Sequence, residues 1–506
     1  MDRKAVLAIT LTLMLLSMLT LGFNIQSVRS EPRTWTVDDD GPADFHTIQE
    51  AINAASSGDT IFVHSGTYYE NVVVNKTVTV VGENSYDTII DGGGTPPVVR
   101  VTSHRVEIRH FTIRNSGRVW NGYGLELNNV RNCSISENNI TDNHFGIWLL
   151  GSSRNGISGN ILTNSTANGI YALRSPYNSI HRNSVANNWR GIKLEDSPNN
   201  HISGNNVTDN TYGGVDLILT SFTTIHENNI AKNNQGVVLG KNCSGNIIVN
   251  NDFALNGEGF TLFTGSYSNF VIANNITRNY SGGECLYSNN NTISRNNIAN
   301  NEAFGIGLGR SEYNIIEANN ITSSSWGILL FEAFNNTLFH NNFANNTKGV
   351  FDISWEHPAV SSMNTWDNGY PSGGNHWSDY ESRYPDAEEL DGSGIWNMPY
   401  IIDERNQDNY PLMEPWSPKP SSPVEATQEL IETIETWKLT KGTENSLKTQ
   451  LKAAIHMLDL GKEDGAIRKL TAFSNRVEML REKTLTNEQA DELVLEAQRI
   501  IDLIKG

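Results

Sequence analysis

The sequence predicts a mainly β protein, a right-handed parallel β-helix with about 22 residues per coil, closed by caps and followed by a small α-helical bundle. Three observations predict it. A motif of the form I-x-x-N-N-I recurs through the middle of the chain, a short alternating strand opening with Gly follows each copy, and the composition turns helical near the C-terminus.

Residues 1–30 read as a targeting segment. Arg3 and Lys4 precede an apolar run from Ala5 to Phe23, and Ser30 offers a cleavage position before Glu31. The run is longer than a usual signal core and near the length that spans a bilayer. A cleaved signal peptide and an N-terminal membrane anchor both stay open, and both place the rest of the chain outside the cytoplasm, secreted or at the extracellular cell surface.

Residues 31–110 read as an N-terminal cap with the first coils, and 111–352 as the regular repeat. The last apolar residue of the motif falls at Ile113, Ile140, Ile161, Val185, Val207, Ile230, Phe253, Ile276, Ile298, Ile321 and Phe343. The intervals of 27, 21, 24, 22, 23, 23, 23, 22, 23 and 22 residues give about eleven coils. Strands such as Gly146-Ile147-Trp148-Leu149 and Gly191-Ile192-Lys193-Leu194 alternate in period two, the mark of one buried face. Asn and Gly every few residues exclude helices here. Units this short bury their apolar faces only by stacking. Asn183, Asn205, Asn228, Asn251, Asn274, Asn296, Asn319 and Asn341 then form a ladder that serves the turns, tolerating left-handed backbone and bonding to the coils on either side.

Beyond Val350 the repeat stops. Residues 353–413 are crowded with aromatics, among them Trp366, Trp377, Tyr380, Trp396 and Tyr400; they read as a lid over the last coil, or as a platform for sugar rings. Residues 414–424 (EPWSPKPSSPV) form a Pro/Ser-rich linker. Residues 425–506 read as an antiparallel helical bundle, with apolar stripes such as Leu447, Leu451, Ile455 and Leu458 and a capping box at Thr486 and Gln489.

A formal charge of -19 excludes a nucleic-acid partner, which needs a basic face. Cys133, Cys243 and Cys285 lie in different coils and read as structural thiols. One outward column is singled out: Glu126, Trp148, Tyr171, Lys193 and Asp216, one per coil, with Glu195 beside Lys193. Trp148 and Tyr171 are the candidate glycan-binding rings. Lys193, Glu195 and Asp216 are the candidate catalytic groups, with Glu195 and Asp216 read as a carboxylate pair at the roughly 5 Å separation of a retaining hydrolase. His181 and His226 occupy equivalent outward positions two coils apart, with Ser203 between them, and no metal-ligand cluster is read around them. Calcium stays open at Glu388, Glu389 and Asp391, although Ala387 stands where the first carboxylate of a calcium loop belongs. Asn75, Asn132, Asn139, Asn164, Asn206, Asn242, Asn275, Asn279, Asn290, Asn320, Asn335 and Asn345 head Asn-x-Ser/Thr sequons, read as glycosylation sites at turns.

The repeat, together with Asp44-Phe45-His46-Thr47-Ile48-Gln49-Glu50-Ala51-Ile52 and Gly66-Thr67-Tyr68-Tyr69-Glu70, resembles the pectate-lyase-type β-helix superfamily. Specifically, it resembles the superfamily's carbohydrate-associated repeats and NosD-like branch, over about residues 35–412. The C-terminal tail resembles the helical modules called FIMAH domains. The superfamily implies polysaccharide chemistry, the NosD name implies copper as cargo, and the tail implies attachment or glycan binding. The Asn-Thr-Asp, Gly-His-Gly and Arg-Ile-Lys set of polygalacturonases and the Asp-Pro-His-Asp of epimerases are missing. The expectation is therefore a secreted or surface protein that binds polysaccharide or serves the envelope beside envelope proteins, without enzymatic activity and without a cofactor. The alternatives are a divergent polysaccharide lyase, hydrolase or epimerase, and a copper-handling accessory protein, for which the residues offer no soft-ligand cluster.

Overall fold

A computed structural model describes residues 31–356, 361–417, 422–481 and 483–505, so the predicted targeting segment lies outside the described residues. No described helix is long and apolar enough to cross a membrane. The chain divides into two compact units between Trp416 and Ser417.

The first unit is a parallel β-helix of three sheets. Sheet A has 15 strands, from Thr34–Val37 to Met363–Thr365. Sheet B has 14, from Gly66–Tyr68 to His376–Trp377, and sheet C has 13, from Val72–Val74 to Lys348–Asp352. Coils therefore extend beyond the eleven of the regular repeat. The earliest, such as Thr60–Val63 against Thr79–Gly82, keep the pairing without the asparagine motif. Each coil sends a few apolar side chains inward, for example Ile225, Ile230, Val237 and Leu239, all fully buried and each stabilising by roughly 2 kcal/mol. In sheet B, Ile140 pairs with Leu162 and Leu162 with Val185. The inward residue of that coil is thus Leu162 and not Ile161, which is exposed; two adjacent apolar residues leave the phase ambiguous in sequence.

Three asparagine ladders run through the corners. Asn183, in the ladder the sequence shows, donates its amide N–H to Ile157 O and to Asn205 Oδ1. A second ladder includes Asn188, Asn210 and Asn233, and a third Asn246, Asn269 and Asn291. The left-handed residue is the one before the ladder position (Arg182 φ 54°, Glu227 φ 53°), not the asparagine itself. The amides satisfy buried corner backbone that the strand pairing cannot reach.

Helix α1 (Ile48–Ala54) closes the N-terminal end with Ile48, Ala51 and Ile52 buried against the coil core. Thr47 accepts from Glu50 N, and the Glu70 carboxylate of the first coil accepts from Ile48 N at 2.8 Å and Gln49 N at 3.0 Å. An anion at a helix N-terminus is the stabilising sign. At the other end Phe343, Trp377 and Tyr400 stack in sequence at 4.4 and 4.2 Å. Trp366, Trp377 and Tyr380, the last opening the short α2 (Tyr380–Arg383), are buried. These rings form a lid continuous with the core and offer no face for a sugar.

Asp408 ties the lid together, accepting from Asn375 N (2.7 Å), Trp377 Nε1 (2.9 Å) and Tyr410 N (3.1 Å). Burial pushes its carboxyl up to about 7, against those hydrogen bonds. A value raised above the ordinary 3.8 means stability fully present below about pH 4 and lost as the pH rises through about 7. The lid is expected to resist urea better at pH 5 than at pH 8, followed by tryptophan fluorescence, and Asp408→Asn to flatten that difference; an unchanged slope in the variant would place the dependence elsewhere.

The second unit is a helical bundle of α3 (Pro423–Thr436), α4 (Lys441–Asp459), α5 (Glu463–Leu480) and α6 (Asn487–Lys505). Leu430, Ile434, Leu447, Leu451, Leu470, Phe473, Leu493 and Ala497 share its core. The capping box is present: Thr486 N donates to Gln489 Oε1 and Gln489 N to Thr486 Oγ1.

Candidate functional site

The outer face of sheet C carries the singled-out column. Ile147, Ile170, Ile192 and Val215 point inward and are fully buried. The residues between them stand in register, Glu126 with Trp148, Trp148 with Tyr171, Tyr171 with Lys193 and Lys193 with Asp216. Trp148 and Tyr171 are nevertheless only 5% and 7% exposed. They meet edge-to-face at 4.5 Å, and Phe145 and Tyr123 pack on Trp148 at 4.9 and 4.7 Å. With Ala167 they make a second apolar cluster outside the coil core. The two rings hold one another and do not present stacking faces. Phe145 and Tyr123 belong to a neighbouring column, which a single-column reading of the sequence leaves out.

The charged candidates are committed to partners. Lys193 Nζ lies 2.7 Å from Glu195 Oε2 and 4.7 Å from the centre of the Tyr171 ring. Tyr171 OH donates to the same Glu195 oxygen at 2.6 Å. Burial opposes ionisation of Glu195, but the hydrogen bonds from Lys193 and Tyr171 outweigh it and hold the carboxyl below its ordinary value. Asp216 is buried and ion-paired with Arg190; burial pushes its carboxyl up despite that neighbour. Glu195 stands in register with Leu173 and Ile218, not with Asp216. Glu195 and Asp216 thus occupy different outward columns on adjacent coils, each with a cationic partner of its own.

Two residues that the sequence reading missed take the place of the buried rings. Trp189 and Tyr212 lie on consecutive coils beside sheet C, 43% and 40% exposed, with centroids 5.6 Å apart. The Arg190 guanidinium sits 3.9 Å from one ring and 4.3 Å from the other. Each precedes the strand glycine by two residues (Gly191, Gly214), a periodic position the sequence does show. Farther along the same face, Glu258 Oε2 accepts from Gln235 Nε2 at 3.0 Å and Thr261 Oγ1 at 2.5 Å. Glu284 stands in register with Thr261 and with Gly307 on the next coil. Burial, and then the charge of Glu258, push the Glu284 carboxyl up.

The thiols do not suit a soft metal. Cys133, Cys243 and Cys285 are free and buried. Burial raises Cys243 to about 11 and Cys285 further, whereas a metal takes thiolate. Imidazole suits borderline ions, and on the outer face of sheet A His201 Nε2 lies 2.8 Å from His226 Nε2. In the loop considered for calcium, Asp391 accepts from Tyr370 OH and Glu389 from Gly394 N. Among the sequons, Asn279 is buried in the second ladder, donating to Phe253 O and Asn301 Oδ1, so it is closed to a glycan. Asn139, Asn206, Asn275 and Asn320 lie on sheet B strands and not at turns. Asn132, Asn164, Asn242, Asn290, Asn335 and Asn345 have the left-handed conformation of corners.

Comparison with known proteins finds distant likenesses among solved structures. A mannuronan C-5 epimerase A-module from Azotobacter vinelandii is 15% identical, covering 60% of this chain and 92% of its own, with a TM-score of 0.43. The catalytic domain of a GH87 α-1,3-glucanase in complex with tetrasaccharides is 15% identical over 70% of each chain, with a TM-score of 0.39. An alginate lyase from Paenibacillus is 13% identical over 62% of this chain and 99% of its own, with a TM-score of 0.34. No curated protein matches. The FIMAH domain family matches residues 424–502. The family described as "Periplasmic copper-binding protein (NosD)" matches residues 52–240 and 220–382, more than half of the chain and nearly all of its coils, and the chain belongs to that family.

Proposed function

We propose that this NosD-family protein binds glycan without cleaving it, outside the cytoplasm at the cell surface or envelope, with the carbohydrate laid along the outer face of sheet C. The observation that carries the reading is the Trp189–Tyr212 pair. Rings repeated at the coil spacing, partly exposed and next to a cation, suit the apolar faces and hydroxyls of successive sugars. The ion-paired state of Lys193, Glu195, Asp216 and Arg190 supports binding over catalysis, since a general acid or base needs a free proton site near neutral pH. The strongly acidic chain favours neutral glycans, or anionic ones that meet Arg190 locally.

A second reading rests on Glu258 and Glu284. Two neighbouring carboxyls, Glu258 accepting from Gln235 and Thr261 and Glu284 pushed up by burial, are the kind of carboxyl pair a glycosidase uses.

One experiment separates the two readings. The full-length protein is applied to a glycan and polysaccharide array, and each bound polymer is then incubated with it and its ends analysed. Binding without new reducing or unsaturated ends is expected. Trp189→Ala with Tyr212→Ala is expected to weaken binding by about tenfold or more, while Tyr313→Ala, an exposed ring elsewhere, leaves it unchanged. Undiminished affinity in the double variant would remove the proposed site. Product release abolished by Glu284→Gln would establish the second reading.

A further inference from the structure

We propose that the outer face of sheet A around Phe270 and Ile272 is a homodimer interface, on which a second copy of this chain packs face to face with its coils running the opposite way. The face is separate from that of sheet C and does not depend on the glycan reading.

The patch stands out against its own repeat. From Glu107 to His226 the outward residues of sheet A are Glu, Arg, Ser, Gly, His or Thr. On the next two coils they become Ile247, Val249, Phe270 and Ile272, side by side in register, with Ile247 and Phe270 39% and 38% exposed. The coil does not require this, since the matching outward column of sheet B reads Asn206, Asn229, Asp252 and Asn275. Phe222 and Tyr313, on the corner that leads into sheet A, are exposed as well. A contiguous apolar surface of this kind marks a face that another surface covers.

What covers it follows from its symmetry about the strand Phe270–Ile272. His226 lies two coils before that strand and Glu317 two coils after it, in one outward column. The corner residues Phe222, Gly245, Ser268, Asn290 and Tyr313 form a second column, each left-handed with φ between 53° and 63°. Backbone bonds such as Phe222 N to Ser244 O and Asn290 N to Glu312 O join them coil to coil. Phe222 again lies two coils before the centre, here Ser268, and Tyr313 two coils after it. A two-fold axis along the central strand, in the plane between the two sheets, keeps the strand direction and reverses the order of the coils. It sets His226 of each copy over Glu317 of the other, and Phe222 of each over Tyr313 of the other. Phe270 and Ile272 meet their own counterparts on the axis. A copy with its coils in the same direction would instead set His226 over Thr224 and Glu317 over Ile315. Among the described residues Glu317 has no cationic partner, so an imidazole donor from the second copy supplies what its own chain does not.

Nine strands of sheet A overlap in this arrangement, from Ser179–His181 to Met363–Thr365. At about 4.8 Å per coil and about 3.3 Å per residue, the strands alone cover about 430 Å². The corner side chains on either side extend this toward the roughly 800 Å² per partner of a standard interface. The same axis sets the sequon residue Asn290 over Gly245 of the second copy, so this asparagine is bare in the dimer.

The test is sedimentation equilibrium of the full-length protein over a range of concentrations, and a reversible dimer is expected. Phe270→Asp raises the dissociation constant by about a hundredfold or more, and Glu317→His by about tenfold. His226→Glu combined with Glu317→His restores the wild-type constant, because the exchange regenerates both polar pairs. Tyr69→Asp, at an exposed ring elsewhere, leaves it unchanged. Melting curves matching the wild type confirm that the variants are folded, as expected for side chains outside the coil core. A monomeric wild-type chain overturns the proposal and gives the patch to another protein or a lipid surface. A dimer that survives Phe270→Asp, an exchanged pair no tighter than its single variants, or a dimer with a glycan on Asn290 overturns it equally.

Discussion

Gly259→Ala is expected to lower the stability of the β-helix by roughly 3 kcal/mol or more, read from the urea midpoint. From Gly124 to Gly327 one glycine per coil stands at the entry to sheet C, and a Cβ on any of them would come within 2.9 Å of the next coil's glycine carbonyl oxygen. At Gly259 an added Cβ stands 2.3 Å from Gly282 O and 2.8 Å from Ile276 Cγ2. Neither can yield cheaply. Gly282 belongs to Ser281–Leu286 in the interior of sheet C, and Ile276 is fully buried. The requirement here is space between coils and not an unusual backbone angle. Gly442→Ala is the contrast: nothing lies within 4 Å of an added Cβ, and the position is helical, so the bundle gains about 0.5–1 kcal/mol. A Gly259→Ala midpoint equal to that of the wild type would mean that the corner has slack the close approach denies.

Asn251→Ala is expected to cost on the order of 4 kcal/mol. Asn251 is buried, and its side chain serves three coils at once. Its Oδ1 accepts from Asn228 N (3.0 Å) and Asn228 Nδ2 (2.9 Å); its Nδ2 donates to Ile225 O (2.9 Å), Val249 O (3.1 Å) and Asn274 Oδ1 (3.0 Å). Alanine leaves those groups in a dry corner without that partner, and each buried polar atom so stranded costs about 1–3 kcal/mol. Asn275→Ala removes an exposed amide that donates to Asp252, so its change should stay within about 0.5 kcal/mol. Equal effects at 251 and 275 would show that water reaches the corners and that the ladder adds little.

The coils are legible in sequence because they repeat. The inward residues at Ile147, Ile170, Ile192 and Val215, and the asparagines from Asn183 to Asn341, recur at nearly fixed spacing, and periodicity reports which face is buried. What repetition cannot report is how far an outward side chain stands from water. Trp148 and Tyr171 occupy outward positions, yet their exposure depends on Phe145 and Tyr123, three residues back along their own strand or the one below. Phase is lost where two apolar residues adjoin, as at Ile161 and Leu162. Counting coils alone makes Glu195 and Asp216 neighbours, whereas the register places them in different columns. The His201–His226 contact is diagonal, and a reading that follows one column at a time passes over it.

Apart from bonds made within one coil, such as Asn251 Nδ2 to Val249 O, the hydrogen bonds of the asparagine ladders and the close approaches along the glycine column join a coil only to its immediate neighbours. The cross-section is consequently held fixed while length is left almost unconstrained. Duplicating or excising one coil presents the same surfaces to the coils above and below, and alters the distance between the two ends by a single graduation of about 4.8 Å. Length is thus the dimension this architecture leaves open to natural variation, a ruler whose marks are set by chemistry and whose extent is set by copy number.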